Sequence, residues 1–123
     1  MMKITSFLEQ IEKNMPVSFD ETITVIDSNY IYAATEFSNG LNEDKLINKA
    51  GTNEGSCKIF AFADIHHLNQ QQTLNLFGDY YRLDVLSDPH GTNHQNIRNF
   101  IKYGWTGIVF QSTALTLIPN QIL

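Results

Sequence analysis

The chain is short of cysteine, of basic residues and of long apolar runs, and each shortage excludes a class of protein. Cys57 is the single cysteine in 123 residues. It leaves no internal disulfide and no CxxC-type zinc site, so the core must hold by packing, as in cytosolic proteins. Eight Lys and Arg stand against thirteen Asp and Glu, a formal net charge of −5. A chain without a basic face lacks what neutralises phosphates, so neither nucleic acid nor an anionic membrane is an expected partner. No apolar run approaches the roughly 20 residues that cross a bilayer. Glu9 and Glu12 also interrupt the start of the chain where a Sec signal peptide needs an unbroken apolar stretch. The expectation is a soluble protein.

What is present fits one domain over residues 1–123, a length near the commonest domain size. The charge is uneven: all thirteen acids lie in residues 1–88, and the last 35 residues carry only Arg98 and Lys102 as charged side chains.

Helix signals dominate. Ser6 with Glu9 reads as a capping box ahead of Phe7, Leu8 and Ile11, predicting a helix over 6–14 that Pro16 ends. Ser18 with Glu21 repeats the pattern and predicts a helix over 18–29, although the β-branched run Thr22 to Ile26 competes for strand. The stretch from Tyr30 to Gly55 is irregular, with a turn at Asn39-Gly40 and a short helix around 43–49. Ile59 to Ile65 is apolar nearly all round and reads as a buried central helix. Asn69 caps a long helix over 70–87, in which Gly78 marks the close approach of another backbone and which Pro89 stops. A further helix over 93–103 ends at Gly104, and 107–111 with 114–118 read as two strands about the turn Ser112-Thr113. The expected fold is mainly α: a small helical domain of five to six helices closed by a short C-terminal β-hairpin.

Several motifs recur in an order that resembles the HopJ type III effector family. They are Gly55-Ser56-Cys57-Lys58, Phe60-x-Phe62-Ala63, Phe77-Gly78-x-Tyr80-Tyr81-Arg82-x-Asp84-Val85-Leu86, Pro89-x-Gly91, His94-Gln95-Asn96-Ile97-Arg98-x-Phe100 and Gly104-Trp105-x-Gly107-Ile108-x-Phe110. The resemblance spans roughly residues 19–117. It implies a small bacterial protein delivered into a host cell by type III secretion, acting by binding a protein partner, with no reaction and no cofactor implied. Where the family carries Asp-His, this chain has Asn93-His94; where its last turn carries Gly, it has Ser112.

Two further functional readings rest on particular side chains. Cys57 falls in the first turn of a predicted helix, where the dipole and unpaired N–H groups favour a thiolate. With His94 as base and Asn96, Asn93 or Asp84 to orient the imidazole, it would make a thiol-dependent hydrolase or transferase of the Cys-His-Asn/Asp kind. Arg82 and Arg98, in aromatic-rich helices beside Tyr81 and close to Phe100, would with Trp105 and the aromatic loop at 30–37 suit a small ligand or anion, since a guanidinium holds carboxylate or phosphate bidentately. Against this, Arg82 and Arg98 have acids at hand for internal pairing, and Trp105 suits core filling. No metal site is expected. Pro89 and Gly91 put His90 in a loop, away from the helical i, i+4 spacing with His94, and adjacent His66 and His67 would diverge on a helix.

Overall fold

The computed structural model describes residues 3–119. Helix α1 runs over Ile4–Glu12 and buries Ile4, Phe7 and Ile11, one stripe at helical spacing. It starts at Lys3 without a side-chain cap, so the expected Ser6/Glu9 box is not used. Placing Ile4 inside the helix brings it to 1% exposure. Burying such a side chain contributes about 2 kcal/mol, more than the roughly 1 kcal/mol of a cap. Helix α2, Phe19–Asn29, has the expected box: Glu21 N–H donates to Ser18 Oγ at 3.0 Å and Ser18 N–H to Glu21 Oε1 at 3.3 Å. The β-branched run within it stays helical because Thr22, Val25, Ile26 and Asn29 share one buried face.

The stretch expected to be irregular holds strands β1 (Tyr30–Tyr32), β2 (Phe37–Asn39) and β3 (Leu46–Asn48). A 3₁₀ turn at Asn42–Asp44 and β3 stand in place of the expected helix at 43–49. Helix α3, Glu54–Ile65, is the buried central element, with Cys57 and Ile59 to Ala63 inside. Phe60 is fully buried, with the rings of Phe37, Phe77, Phe100 and Trp105 around it at centroid distances of 5.0–6.4 Å. Trp105 is half-buried against this cluster and donates its indole N–H to Leu68 O at 2.9 Å, the core role expected of it.

The long helix expected over 70–87 is broken. Asn69 and Gln72 form a capping box for α4, which covers only Gln70–Asn75, and a π-helical turn follows over Tyr80–Val85. Gly78 between them has φ +61°, and a Cβ there would lie 2.6 Å from Phe19 N. The start of α2 therefore crosses the chain at Gly78, and a straight helix has no room. Helix α5, Gln95–Tyr103, ends at the positive-φ Gly104 and is followed by a 3₁₀ turn over Gly104–Gly107.

The expected C-terminal hairpin does not form. Strand β4 (Val109–Phe110) pairs antiparallel with β2 in the order β3-β2-β4, and β5 (Leu115–Leu117) pairs antiparallel with β1. Phe110 stacks on its register partner Phe37 at 5.4 Å, and Ser112 anchors the divergence by donating Oγ–H and N–H to Thr35 Oγ1 at 2.7 and 3.1 Å. Partners from the first half of the chain thus supply burial that a lone two-stranded hairpin lacks. The fold is helix-dominated with two small antiparallel sheets rather than all-α. Among the described residues, no helix is long and apolar enough to cross a membrane.

Candidate functional site

A cavity of about 460 Å³ opens where α3 and α5 begin. Asn53, Gly55 and Ser56 line it from the start of α3, and His94, Gln95, Asn96 and Ile97 from the start of α5. Phe19, Leu46, Phe77 and Tyr80 supply an apolar wall.

Both helices enter through a left-handed N-cap residue, Asn53 at φ 50° and His94 at φ 53°, and neither side chain caps its own helix. Each is spent elsewhere. Asn53 Nδ2 donates to Asn48 Oδ1 at 2.7 Å, and His94 Nε2 pairs with Asp84 Oδ2 at 3.1 Å. The starts of both helices therefore lack a side-chain cap beside one cavity, with only the Ile97 N–H of the first turn of α5 taken up, by His94 O at 3.0 Å, a setting that favours negative charge.

A buried amide network holds the two helix starts in register. Asn48 and Asn96 exchange side-chain hydrogen bonds, Nδ2 of each donating to Oδ1 of the other at 3.1 and 2.9 Å. Asn39 Nδ2 donates to Asn96 O and Oδ1 at 2.8 and 3.0 Å. Asn99 Nδ2 donates to Asn39 O and Asp44 O at 2.9 and 2.8 Å. Asn39 Oδ1 is buried and unmatched among the described residues. Amides serve here because each carries both donor and acceptor without charge, so β2, β3, α3 and α5 can be cross-linked inside the protein at no ionic desolvation cost.

The π-helical turn presents Tyr80 and Asp84 to His94. The Tyr80 ring lies 5.2 Å from that of His94 and 5.0 Å from that of Phe19, so three rings form one side of the opening. The loop leading to His94 is tied down by Arg98, whose Nε and Nη2 donate to Asn93 O and Oδ1 at 2.5 and 2.7 Å and whose Nη1 donates to Asp88 O at 2.8 Å.

The residues singled out in the sequence are not all gathered at this cavity. His94 and Asn96 line it. Cys57 is 1% exposed, lies in the core, and has Sγ 4.0 Å from Thr35 O. Burial pushes its thiol pKa up, against partial opposition from Tyr32 and the Thr35 carbonyl. Among the described residues no hydrogen bond joins Cys57 to His94; the imidazole is committed to Asp84 and Tyr80. Arg82 donates to Asn75 Oδ1 and Val17 O, both at 2.6 Å, with Asp79 3.8 Å away. Tyr81 is buried beside it, its hydroxyl accepting from Gln71 Nε2 at 3.4 Å. Arg82 and Tyr81 thus share the lining of a second cavity of about 400 Å³, whereas Arg98 and Trp105 do not line it, and both guanidiniums are engaged chiefly by carbonyl oxygens.

Asn48, Asn53 and Ser56 carry no local site signal in the sequence, and Tyr80, whose bulk suits core filling, is instead 44% exposed at the cavity. The available signal was composition, since twelve of the 123 residues are Asn. Asparagine ordinarily marks turns, however, and periodicity does not separate a turn amide from a buried one. Among the described residues no group of three His, Cys, Asp or Glu is placed to hold a metal ion.

The fold is a helix-dominated α/β domain with a cleft between two uncapped helix starts. The chain belongs to the HopJ type III effector protein family, whose profile matches residues 4–115. It is similar to the crystal structure of the unknown function protein VPA0580, with 42% identity, a TM-score of 0.88 and 95% of each chain covered. No curated protein matches it.

Proposed function

We propose that this HopJ-family chain is an effector-type binding protein. Its cavity takes an apolar group bearing a carboxylate, as the C-terminal residue of a protein partner presents it. The observation that carries this reading is the meeting of two uncapped helix starts on one cavity with an apolar wall. Backbone N–H groups and helix dipoles favour the carboxylate, and Phe19, Leu46, Phe77 and Tyr80 favour the apolar side chain beside it. The family resemblance supports delivery into a host cell by type III secretion.

N-acetylphenylalanine mimics such a terminus, and titrating it against the ¹⁵N-labelled protein tests the site. Amide shifts at Gly55, Ser56, Gln95 and Asn96 are expected, with the uncharged amide of the same compound binding roughly tenfold more weakly. Equal binding of acid and amide, or shifts elsewhere only, would sink the reading. Delivery is tested separately with a reporter fused to residues 1–30 in a bacterium with a working type III system; a reporter retained in the bacterium removes the effector role.

A further inference from the structure

We infer that Ser56, His94 and Asp84 form an acyl-transfer site in this cavity, with an ester or thioester of an apolar carboxylic acid as substrate. The inference rests on the cavity reading above, since the product acid belongs to the ligand class proposed there.

The sequence alone put a nucleophile at the start of α3 and made it Cys57. The fold turns Cys57 into the core and brings its neighbour Ser56 to the cavity that His94 also lines. Among the described residues the Ser56 hydroxyl has no hydrogen-bond partner, His94 included, so the proton transfer requires the pair to close on bound substrate. His94 is held by two neighbours on the π-helical turn, Asp84 at 3.1 Å on Nε2 and the Tyr80 ring at 5.2 Å. A carboxylate on Nε2 keeps the proton on that nitrogen and leaves Nδ1 as the base, the orienting role that an acid plays in a catalytic triad with the ring nitrogens exchanged. The acyl chain has the apolar wall, and an oxyanion formed beside Ser56 has the uncapped N–H groups of α3 and α5.

The step balances without a cofactor. Ser56 Oγ attacks the acyl carbon and its proton passes to His94 Nδ1. The bond from the acyl carbon to the alcohol or thiol breaks as His94 returns the proton to the leaving group. Water then attacks the acyl-serine with the same base, releasing the acid and restoring the Ser56 hydroxyl. Ser56 and His94 are the catalytic pair, and Asp84 is a positioning residue.

An alkyl fluorophosphonate bearing a reporter tests this, because an activated serine displaces its fluoride and keeps the phosphoryl group. The wild-type protein is expected to carry one adduct, mapped by mass spectrometry to Ser56. Ser56→Ala, which removes one oxygen and leaves the melting curve in place, should carry none. His94→Ala should label roughly 100-fold more slowly. Asp84→Asn should slow labelling with the melting curve in place and Asp84→Glu should restore it; labelling by Asp84→Asn at the wild-type rate removes Asp84 from the site. A wild-type protein that stays unlabelled, or Ser56→Ala labelled at the wild-type rate, overturns the proposal. If N-acetylphenylalanine still binds in that event, the binding reading stands without it.

Discussion

Gly78 and Phe19 meet backbone to backbone. A Cβ built on Gly78 would sit 2.6 Å from Phe19 N and 3.1 Å from Ser18 Cα and C, at a φ of +61°. This crossing decides two things: it divides what reads as one helix into α4 and a π-helical turn, and it brings Phe19 to the Tyr80 ring at the cavity.

Gly78→Ala is therefore expected to destabilise the fold by about 3 kcal/mol, from the left-handed backbone and from a clash that neither rigid element can relieve. Urea denaturation checks this as a midpoint lowered by roughly 2 M at unchanged slope.

Asn96→Ala should cost about 2–4 kcal/mol, because it strands the amides of Asn39 and Asn48 inside the protein. The double variant Asn48→Ala with Asn96→Ala should lose less than the sum of the two singles, since both remove the same exchange of hydrogen bonds. Thermal melts of the four proteins give the coupling directly.

Iodoacetamide should leave Cys57 unmodified in the native protein from pH 7 to 9 and alkylate it fully in denaturant. The thiol is 1% exposed, and its raised pKa keeps it protonated over that range. Rapid native alkylation would return Cys57 to the list of nucleophiles.

Tyr30 and His66 set opposite pH limits. The Tyr30 hydroxyl lies 2.6 Å from His66 Nε2; burial lowers the His66 pKa below 6.5 and pushes that of Tyr30 from 10.0 up to about 12. The folded state thus favours neutral imidazole as acceptor and protonated phenol as donor. The His66 contribution is complete above pH 6.5, the unfolded value, and is lost as pH falls below it. The Tyr30 contribution is complete below pH 10.0 and is lost as pH rises toward about 12. Melting temperatures at pH 5, 7 and 11 should peak at the middle value, and His66→Gln should flatten the acid side.

Some features governed by neighbours in the chain were legible in advance, although the Ser6/Glu9 box, the helix at 43–49 and the unbroken helix over 70–87 were not borne out. The Ser18/Glu21 box, the cap at Asn69, the buried face of α3 and the punctuation by Gly104 depend on residues a few positions apart. Strand partnership was not legible. Val109–Phe110 and Leu115–Leu117 lie close enough in sequence for a hairpin, yet each pairs with a strand roughly seventy or more residues earlier, because Phe37 and Thr35 offer a stack and a hydroxyl that the pair cannot supply to itself. The cavity was half legible: His94 and Asn96 stood out in the sequence, whereas Ser56 was overshadowed by the more reactive residue type beside it.

The sequence by itself determined a small, acidic, helix-dominated chain with one cysteine and the motifs of its family, since composition, capping and periodicity are local quantities. Only the tertiary structure decided which way the start of α3 faces. A helix turns successive side chains about 100° apart, so when the core takes Cys57 its neighbour Ser56 is carried round to the cavity wall, opposite the start of α5. The lone thiol then serves packing, and the asparagines that composition alone assigns to turns become the buried frame of the site.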